Sequence, residues 1–297
     1  MRILNFGSLN LDFVYQVEHF VRPGETILSD RLDIFNGGKG LNQSIALARA
    51  GATVFHAGRV GSDGQRLVDC LADNGVDTRF IRRSAGPGGH ALIQVDASGQ
   101  NCIILHGGSN QQIAETDIDE TLDFFAAGDI LLLQNEINHV ALIMEKAHQR
   151  GLNIALNPSP ITASLSDYPL KYVSWFILNE IEAAALTGNS GQADSRTGEQ
   201  MAGRLIERWP QAAVVLTLGS EGAIYLDRNH VVRQPARRVP VVDTTAAGDT
   251  FTGYFLQGIA AGQPIHEVML KASAAAAICV SRPGASDSIP WRREVEG

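Results

Sequence analysis

Two kinds of segment alternate along the chain. Short apolar runs occur at 2–6 (RILNF), 53–57 (TVFHA), 129–134 (DILLLQ), 152–156 (LNIAL), 174–178 (SWFIL) and 213–218 (AVVLTL). Between most of them lie stretches with helical spacing of apolar residues, at 41–50, 64–74, 138–150, 180–187 and 196–209. Strands alternating with helices predict a mostly parallel sheet covered by helices on both faces, and near-continuous apolar strands fit burial between two helical layers.

Two segments break the alternation. Residues 12–35 carry an imperfect period of two around a Pro-Gly turn, and 90–106 read as two strands joined by DASGQ. They predict a small accessory sheet, as a lid over a pocket or a contact between subunits. Nothing in 1–297 is repetitive or linker-like, so one domain with inserted sheet strands is expected. The C-terminal part is helical. Phe251, Tyr254, Phe255 and Ile259 share a face after Asp249, Gly262 closes that helix, and Pro264 opens a last long one that stops before Pro283-Gly284.

Composition narrows the class. With 297 residues, 44% of them hydrophobic, the chain can bury a large core. A net charge of −8 offers no basic surface to nucleic acid or anionic lipid, although a pocket can still be locally positive. Cys70, Cys102 and Cys279 lie far apart without a CxxC pair, as reduced thiols do. MRILNFGSLN is too short and too quickly polar for a signal peptide, and no apolar run nears the roughly 18 residues that span a bilayer. A cytoplasmic protein is expected.

The most chemically suggestive stretch is DTTAAGDT, 243–250. Ala246, Ala247, Gly248 and Asp249 just ahead of a helix would leave several N–H groups free at its positive end, and small residues let an anion approach them. Asp249 could take a proton from a hydroxyl while those amides hold charge on a phosphoryl group. An Asp N-cap with small residues for tight packing accounts for the same letters. NGGKGLNQS at 36–44 opens helix 41–50 with glycines around Lys39, yet lacks the GxxxxGK[ST] of a Walker A loop. It reads equally as a ligand-facing loop or a flexible turn. Asn10 and Asp12, Glu136, Asn157, Asn179 and Glu182, and Thr217 to Gly222 each follow an apolar strand. In an open parallel sheet such strand ends share one ligand-binding edge. GPGGHA at 86–91 fits a dinucleotide fingerprint but leads into a strand rather than a helix, so it is set aside.

Taken in order, GSLNLD (7–12), PGE (23–25), NGGKGLNQ (36–43), LNPSP (156–160), LNEIEA (178–183), TLGSEGA (217–223), VDTTAAGDTF (242–251) and SRPGASDSIPWRRE (281–294) resemble the ribokinase-like carbohydrate kinases, the phosphofructokinase-B superfamily. The likeness runs over the whole chain, and the double alanine and closing P-W-R are similar to its ribokinase branch. The resemblance implies a three-layer α/β/α sandwich with a mostly parallel sheet and a small β-sheet lid. It implies ATP-dependent phosphorylation of a primary sugar hydroxyl, D-ribose at O5, with another sugar, a sugar acid or a nucleoside as the alternative acceptor. A catalytically silent sugar-binding regulator is the reading from another class.

By the same resemblance, Asn10, Asp12, Gly38, Lys39, Asn42 and Glu136 hold the sugar. Asp249 is the base, with the amides of Ala246, Ala247 and Gly248 as anion hole. Asn179, Glu182, Thr217, Gly219, Gly222 and Ser273 serve the nucleotide and hydrated Mg²⁺. Asp243, Thr245, Cys279, Arg282, Gly284 and Ser288 surround K⁺ or another monovalent cation, largely through backbone carbonyls. The lid implies a homodimer, with sugar and ATP the only other partners. Leu11, Phe13 and Tyr254 depart from the family's usual residues and bear on the sugar rather than the chemistry. Cys279 also departs, as a backbone ligand can.

Overall fold

The computed structural model describes residues 1–188 and 195–297. Its elements run β1 (Ile3–Phe6), β2 (Asn10–Gln16), β3 (Arg31–Gly37), α1 (Lys39–Arg49), β4 (Val54–Val60), α2 (Gln65–Asp73), β5 (Asp77–Arg83), β6 (Gly89–Val95) and β7 (Asn101–His106). They continue α3 (Glu115–Leu122), β8 (Ile130–Gln134), α4 (Val140–Gln149), β9 (Asn153–Asn157), β10 (Val173–Asn179), α5 (Glu180–Thr187) and α6 (Ser195–Arg208). The chain ends with β11 (Ala213–Thr217), β12 (Ala223–Leu226), β13 (Val231–Gln234), α7 (Ala247–Ala260), α8 (Ile265–Val280) and α9 (Arg292–Glu296).

The nine-stranded sheet is ordered β13-β12-β11-β10-β9-β8-β1-β4-β5, parallel from β11 to β5, with β12 and β13 antiparallel at one edge. Adjacent residues of one strand serve opposite cores. Leu4, Phe6, Leu131 and Leu133 pack with residues of α3 to α6, whereas Ile3, Ile130 and Leu132 pack with α1, α2, α7 and α8. That is why the strands read as unbroken apolar runs: the pleat sends every second side chain to the other helical layer. Each such Leu, Ile or Phe stabilises the fold by roughly 1.5–3 kcal/mol relative to exposure. The three-layer architecture expected from the sequence is therefore present. Pattern alone did not announce β5, β12, β13 or α3. DTRFIRR is mostly charged because β5 is an edge strand with only Phe80 fully inside.

A separate four-stranded sheet is ordered β3-β2-β6-β7. It contains both accessory segments, but its strands begin earlier than expected: Asn10 pairs with Gly37 on β3 and Gly89 on β6. Asn10 and Asp12 thus belong to the small sheet, not to the end of β1. Among the described residues no helix is long and apolar enough to cross a membrane.

One helix crossing positions the chemistry. A Cβ on Gly253 would lie 2.4 Å from Ala46 Cβ and 2.7 Å from the Leu47 backbone nitrogen, so only glycine lets α7 approach α1 this closely. Ala46 is one turn beyond Asn42, and Gly253 one turn beyond Asp249. The crossing therefore brings the start of one helix against the start of the other.

Candidate active site

The carboxyl ends of the parallel strands share one edge, as expected. Gln134 lies beside Asn157 and Asn179 beside Thr217 in the sheet register. Helix α7 begins at Ala247, so Asp249 sits inside its first turn rather than ahead of it. The turn is set by Ala246, which adopts a left-handed conformation (φ 61°). The N–H groups of Ala246, Gly248 and Asp249 have no acceptor among the described residues, whereas Ala247 N–H already bonds the Thr244 carbonyl at 3.3 Å. The free amides thus differ by one residue from the expected triplet. Burial leaves Asp249 only 7% exposed, and both its oxygens accept: Oδ2 from Asn42 Nδ2 at 3.0 Å and Oδ1 from Gln43 Nε2 at 2.8 Å. Asn42 Oδ1 is buried without a donor among the described residues, leaving an acceptor free beside the carboxylate.

Three more carboxylates and one ammonium face the same crevice. Burial pushes the Lys39 ammonium toward neutrality, but Asp249, Glu136 and Glu182 together outweigh it and hold the group firmly charged. Lys39 nevertheless enters no ion pair within 4.0 Å among the described residues. A half-buried cation near several carboxylates but touching none keeps its ammonium free to contact a ligand oxygen. Glu136 accepts from Ser8 Oγ and, at 3.1 Å, from the Lys39 backbone N–H, and burial raises its carboxyl above the ordinary range. Asp12 is raised to about 7, by burial first and the nearby Glu136 charge second. Gly38, at φ 94°, turns the chain from β3 into α1.

The Asn-x-x-Glu motif is a capping box. Asn179 Oδ1 accepts from Glu182 N–H at 2.9 Å while Glu182 Oε2 accepts from Asn179 N–H at 3.0 Å. Its Oε1 accepts from Asn179 Nδ2 at 3.0 Å, and burial raises the carboxyl. On the adjacent strand, Thr217 Oγ1 donates to the Leu178 carbonyl, and Ser273 is buried on α8. Gly219 and Gly222 both have positive φ. A Cβ on Gly222 would lie 2.1 Å from the Gln234 carbonyl, which closes that corner.

The residues expected around a monovalent ion do converge. Asp243 accepts from Thr245 N–H at 2.9 Å and Gly284 N–H at 3.0 Å. Burial pushes its carboxyl up, but the Thr245 hydroxyl and these two N–H groups outweigh it and hold the carboxyl below the ordinary range. Cys279 Sγ lies 3.0 Å from Ser288 Oγ and 3.6 Å from the Thr245 carbonyl, which has no other partner among the described residues. Arg282 faces away, to Glu294 at 2.7 Å.

Several buried polar residues were not singled out from the sequence. Asn110, in a short turn before α3, accepts from Leu9 N–H at 3.0 Å and therefore points its Nδ2 at Asn10 Oδ1, 2.7 Å away. Nothing local marks it. Asn5, His56 and Gln134 were legible as polar letters inside apolar strands, and Gln43 as part of the glycine motif.

With this geometry established, similarity to known proteins is informative. Residues 2–292 match the pfkB family carbohydrate kinase profile. The chain is 36% identical to the ribokinase of Haemophilus influenzae over 97% of its length and 95% of that protein's. Its fold superposes on the crystal structure of Cryptococcus neoformans ribokinase in complex with ADP with a TM-score of 0.89, 33% identity and coverage of 99% and 98%. Against Arabidopsis thaliana ribokinase complexed with ribose and ATP the TM-score is 0.86, at 29% identity and coverage of 99% and 97%.

Proposed function

The chain belongs to the pfkB family of carbohydrate kinases, and from that premise we propose that it transfers the γ-phosphoryl group of ATP to a primary hydroxyl of a pentose, D-ribose at O5. The observation that carries this reading is Asp249, a buried carboxylate in the first turn of a helix where the N–H groups of Ala246, Gly248 and Asp249 lack acceptors among the described residues. Asp249 takes the hydroxyl proton as the oxygen attacks phosphorus. The free amides and the Lys39 ammonium hold the equatorial oxygens, where charge is spread in such a transition state. Asn10, Asp12 and Glu136 hold the remaining sugar hydroxyls, and the small sheet closes over them to exclude water.

Among the described residues no three His, Cys, Asp or Glu side chains are grouped to hold a metal ion. Mg²⁺ would be carried in by nucleotide phosphates with its own waters, which Glu182 would hold, and it would neutralise phosphate charge. The cluster around Asp243 offers the Thr245 carbonyl oxygen, a neutral ligand of the kind that suits a monovalent cation. Ile34, Phe13, Leu92 and Ile104 form one cross-strand row on the small sheet, with Ile34, Leu92 and Ile104 exposed. A second copy of the chain is the proposed cover. Sedimentation velocity showing a monomer at micromolar concentration would remove that part of the reading.

A panel of acceptors with ADP detection, run with and without Mg²⁺ and K⁺, tests the assignment. D-ribose is expected to exceed 2-deoxyribose, other sugars and nucleosides in kcat/KM by at least ~10-fold, because a site built around hydroxyls rejects analogues lacking one. Another preferred acceptor would overturn the ribose assignment alone. Sugar binding without ADP release would overturn the kinase reading.

A further inference from the structure

Gln43 and Gln134 are fully buried, yet neither belongs to the sugar side or the nucleotide side of the crevice. They form part of a hydrogen-bonded chain that crosses the sheet from His56 to Asp249, and its polarity can be read from one fixed end. The Gly40 carbonyl can only accept, so Asn5 presents Nδ2 to it at 2.8 Å and turns Oδ1 the other way. That Oδ1 receives Gln134 Nε2 at 3.0 Å. The same Nε2 donates to Gln43 Oε1 at 2.6 Å. Gln43 is left with only Nε2 to offer, and it donates to Asp249 Oδ1 at 2.8 Å and Asn157 Oδ1 at 3.0 Å. At the far end Asn5 Nδ2 also donates to Ser44 Oγ at 2.8 Å. Ser44 Oγ in turn lies 2.8 Å from His56 Nδ1. Burial keeps that ring neutral, with its pKa down to about 4.

One atom reveals how firmly the polarity is set. Gln134 Oε1 is buried with no donor among the described residues. Turning its amide would place Oε1 against Asn5 Oδ1 and Gln43 Oε1, two further acceptors. Turning Gln43 as well would set its own Oε1 against the Asp249 carboxylate. Each alternative is worse than the orphan, so the orphan stays. We infer that Gln43, with its orientation locked by Gln134, is a positioning residue for the base: it presents Asp249 with a donor that has no second orientation, fixing the plane of the carboxylate.

The inference rests on Asp249 acting as the base, and the test separates the two. Lys39, Glu136, Glu182 and Cys279 are the titratable groups that interact with Asp249 across space, and neither glutamine hydrogen-bonds to any of them. Gln134→Met touches no atom of Asp249 but unlocks Gln43. It is expected to lower kcat about tenfold and leave the sugar KM within about twofold, the scale of one lost charge-assisted hydrogen bond. The loss should appear in the single-turnover rate of the chemical step, since a misaligned base slows proton transfer and leaves binding alone. Gln43→Met, which removes the donor itself, should lower kcat at least as far with the same small change in KM, and serves where the first variant does not fold. A folded variant that keeps kcat within about twofold of native, or whose sugar KM rises in step with the fall in kcat, makes the glutamines structural and overturns the inference. Asp249→Asn at near-native turnover would instead overturn the assignment of the base.

Discussion

Asp249→Asn is expected to lower kcat by at least ~10²-fold, the scale of general-base catalysis and about 3 kcal/mol of barrier. The variant keeps the size and burial of the side chain and removes the only atoms proposed to receive the hydroxyl proton. It also disturbs the local hydrogen bonds in a predictable way. Both native oxygens accept from amide groups, Asn42 Nδ2 at 3.0 Å and Gln43 Nε2 at 2.8 Å. An introduced amide must turn its own NH₂ toward one of them, where two donors meet. Some loss of thermal stability should therefore accompany the loss of turnover, on the order of 1–2 kcal/mol. Rate and stability are separable, because calorimetry reports the fold and single-turnover kinetics the chemistry. The sugar KM should change little if Asp12, Glu136 and Asn10 supply most ground-state binding. A variant that retains turnover within a few-fold of native would disprove the role given to Asp249.

The second large effect is expected at Asp12, on the sugar rather than on the phosphoryl group. Asp12→Asn should raise the sugar KM by ~10²-fold at pH 8, the scale of losing one or two hydrogen bonds to a charged acceptor. The pH dependence follows from the carboxyl being raised from 3.8 to about 7 by burial and by Glu136. In the folded protein Asp12 is protonated below about pH 7, so a sugar that draws on the carboxylate must first displace that proton. The kcat/KM for sugar should therefore fall as pH drops through about 7, and the fall should be absent in Asp12→Asn. Stability runs the other way. Between about pH 4 and pH 7 the folded state holds a proton that the unfolded chain has released, so this group's contribution declines as pH rises across that window. Asp12→Asn should remove that decline and be relatively more stable at pH 8 than at pH 5, compared with the native chain. A flat native profile of kcat/KM between pH 6 and 8 would contradict the account.

How much of this was legible beforehand differs from element to element. The central strands were, since 129–134 and 213–218 are apolar enough to be buried on both faces whatever surrounds them. β5 was not, because an edge strand can remain charged and its pairing depends on β4, not on its own letters. DTTAAGDT displayed its small residues and its aspartates. The αL turn at Ala246 that puts Asp249 inside the helix, and commits the Ala247 amide while freeing that of Asp249, did not appear in the letters. Nor did the letters show that Asp243 braces 245 to 284. Asn110 gave no signal, for its importance lies entirely in meeting Asn10 across 100 residues of chain.

The sequence by itself determined the alternation of strand and helix, the parallel sheet, the order of the glycine-rich motifs and the family they point to. These rest on local periodicity and on residue types that carry their own conformational and chemical preferences. Only the tertiary structure decided which atoms meet: α1 crossing α7 at Gly253, Asn10 and Asp12 on the small sheet, Lys39 among carboxylates it does not touch, and a chain of amides whose polarity ends on Asp249. Such features depend on distances between segments far apart in the chain. A hydrogen bond is defined by the position of both partners, and sequence records only one partner at a time.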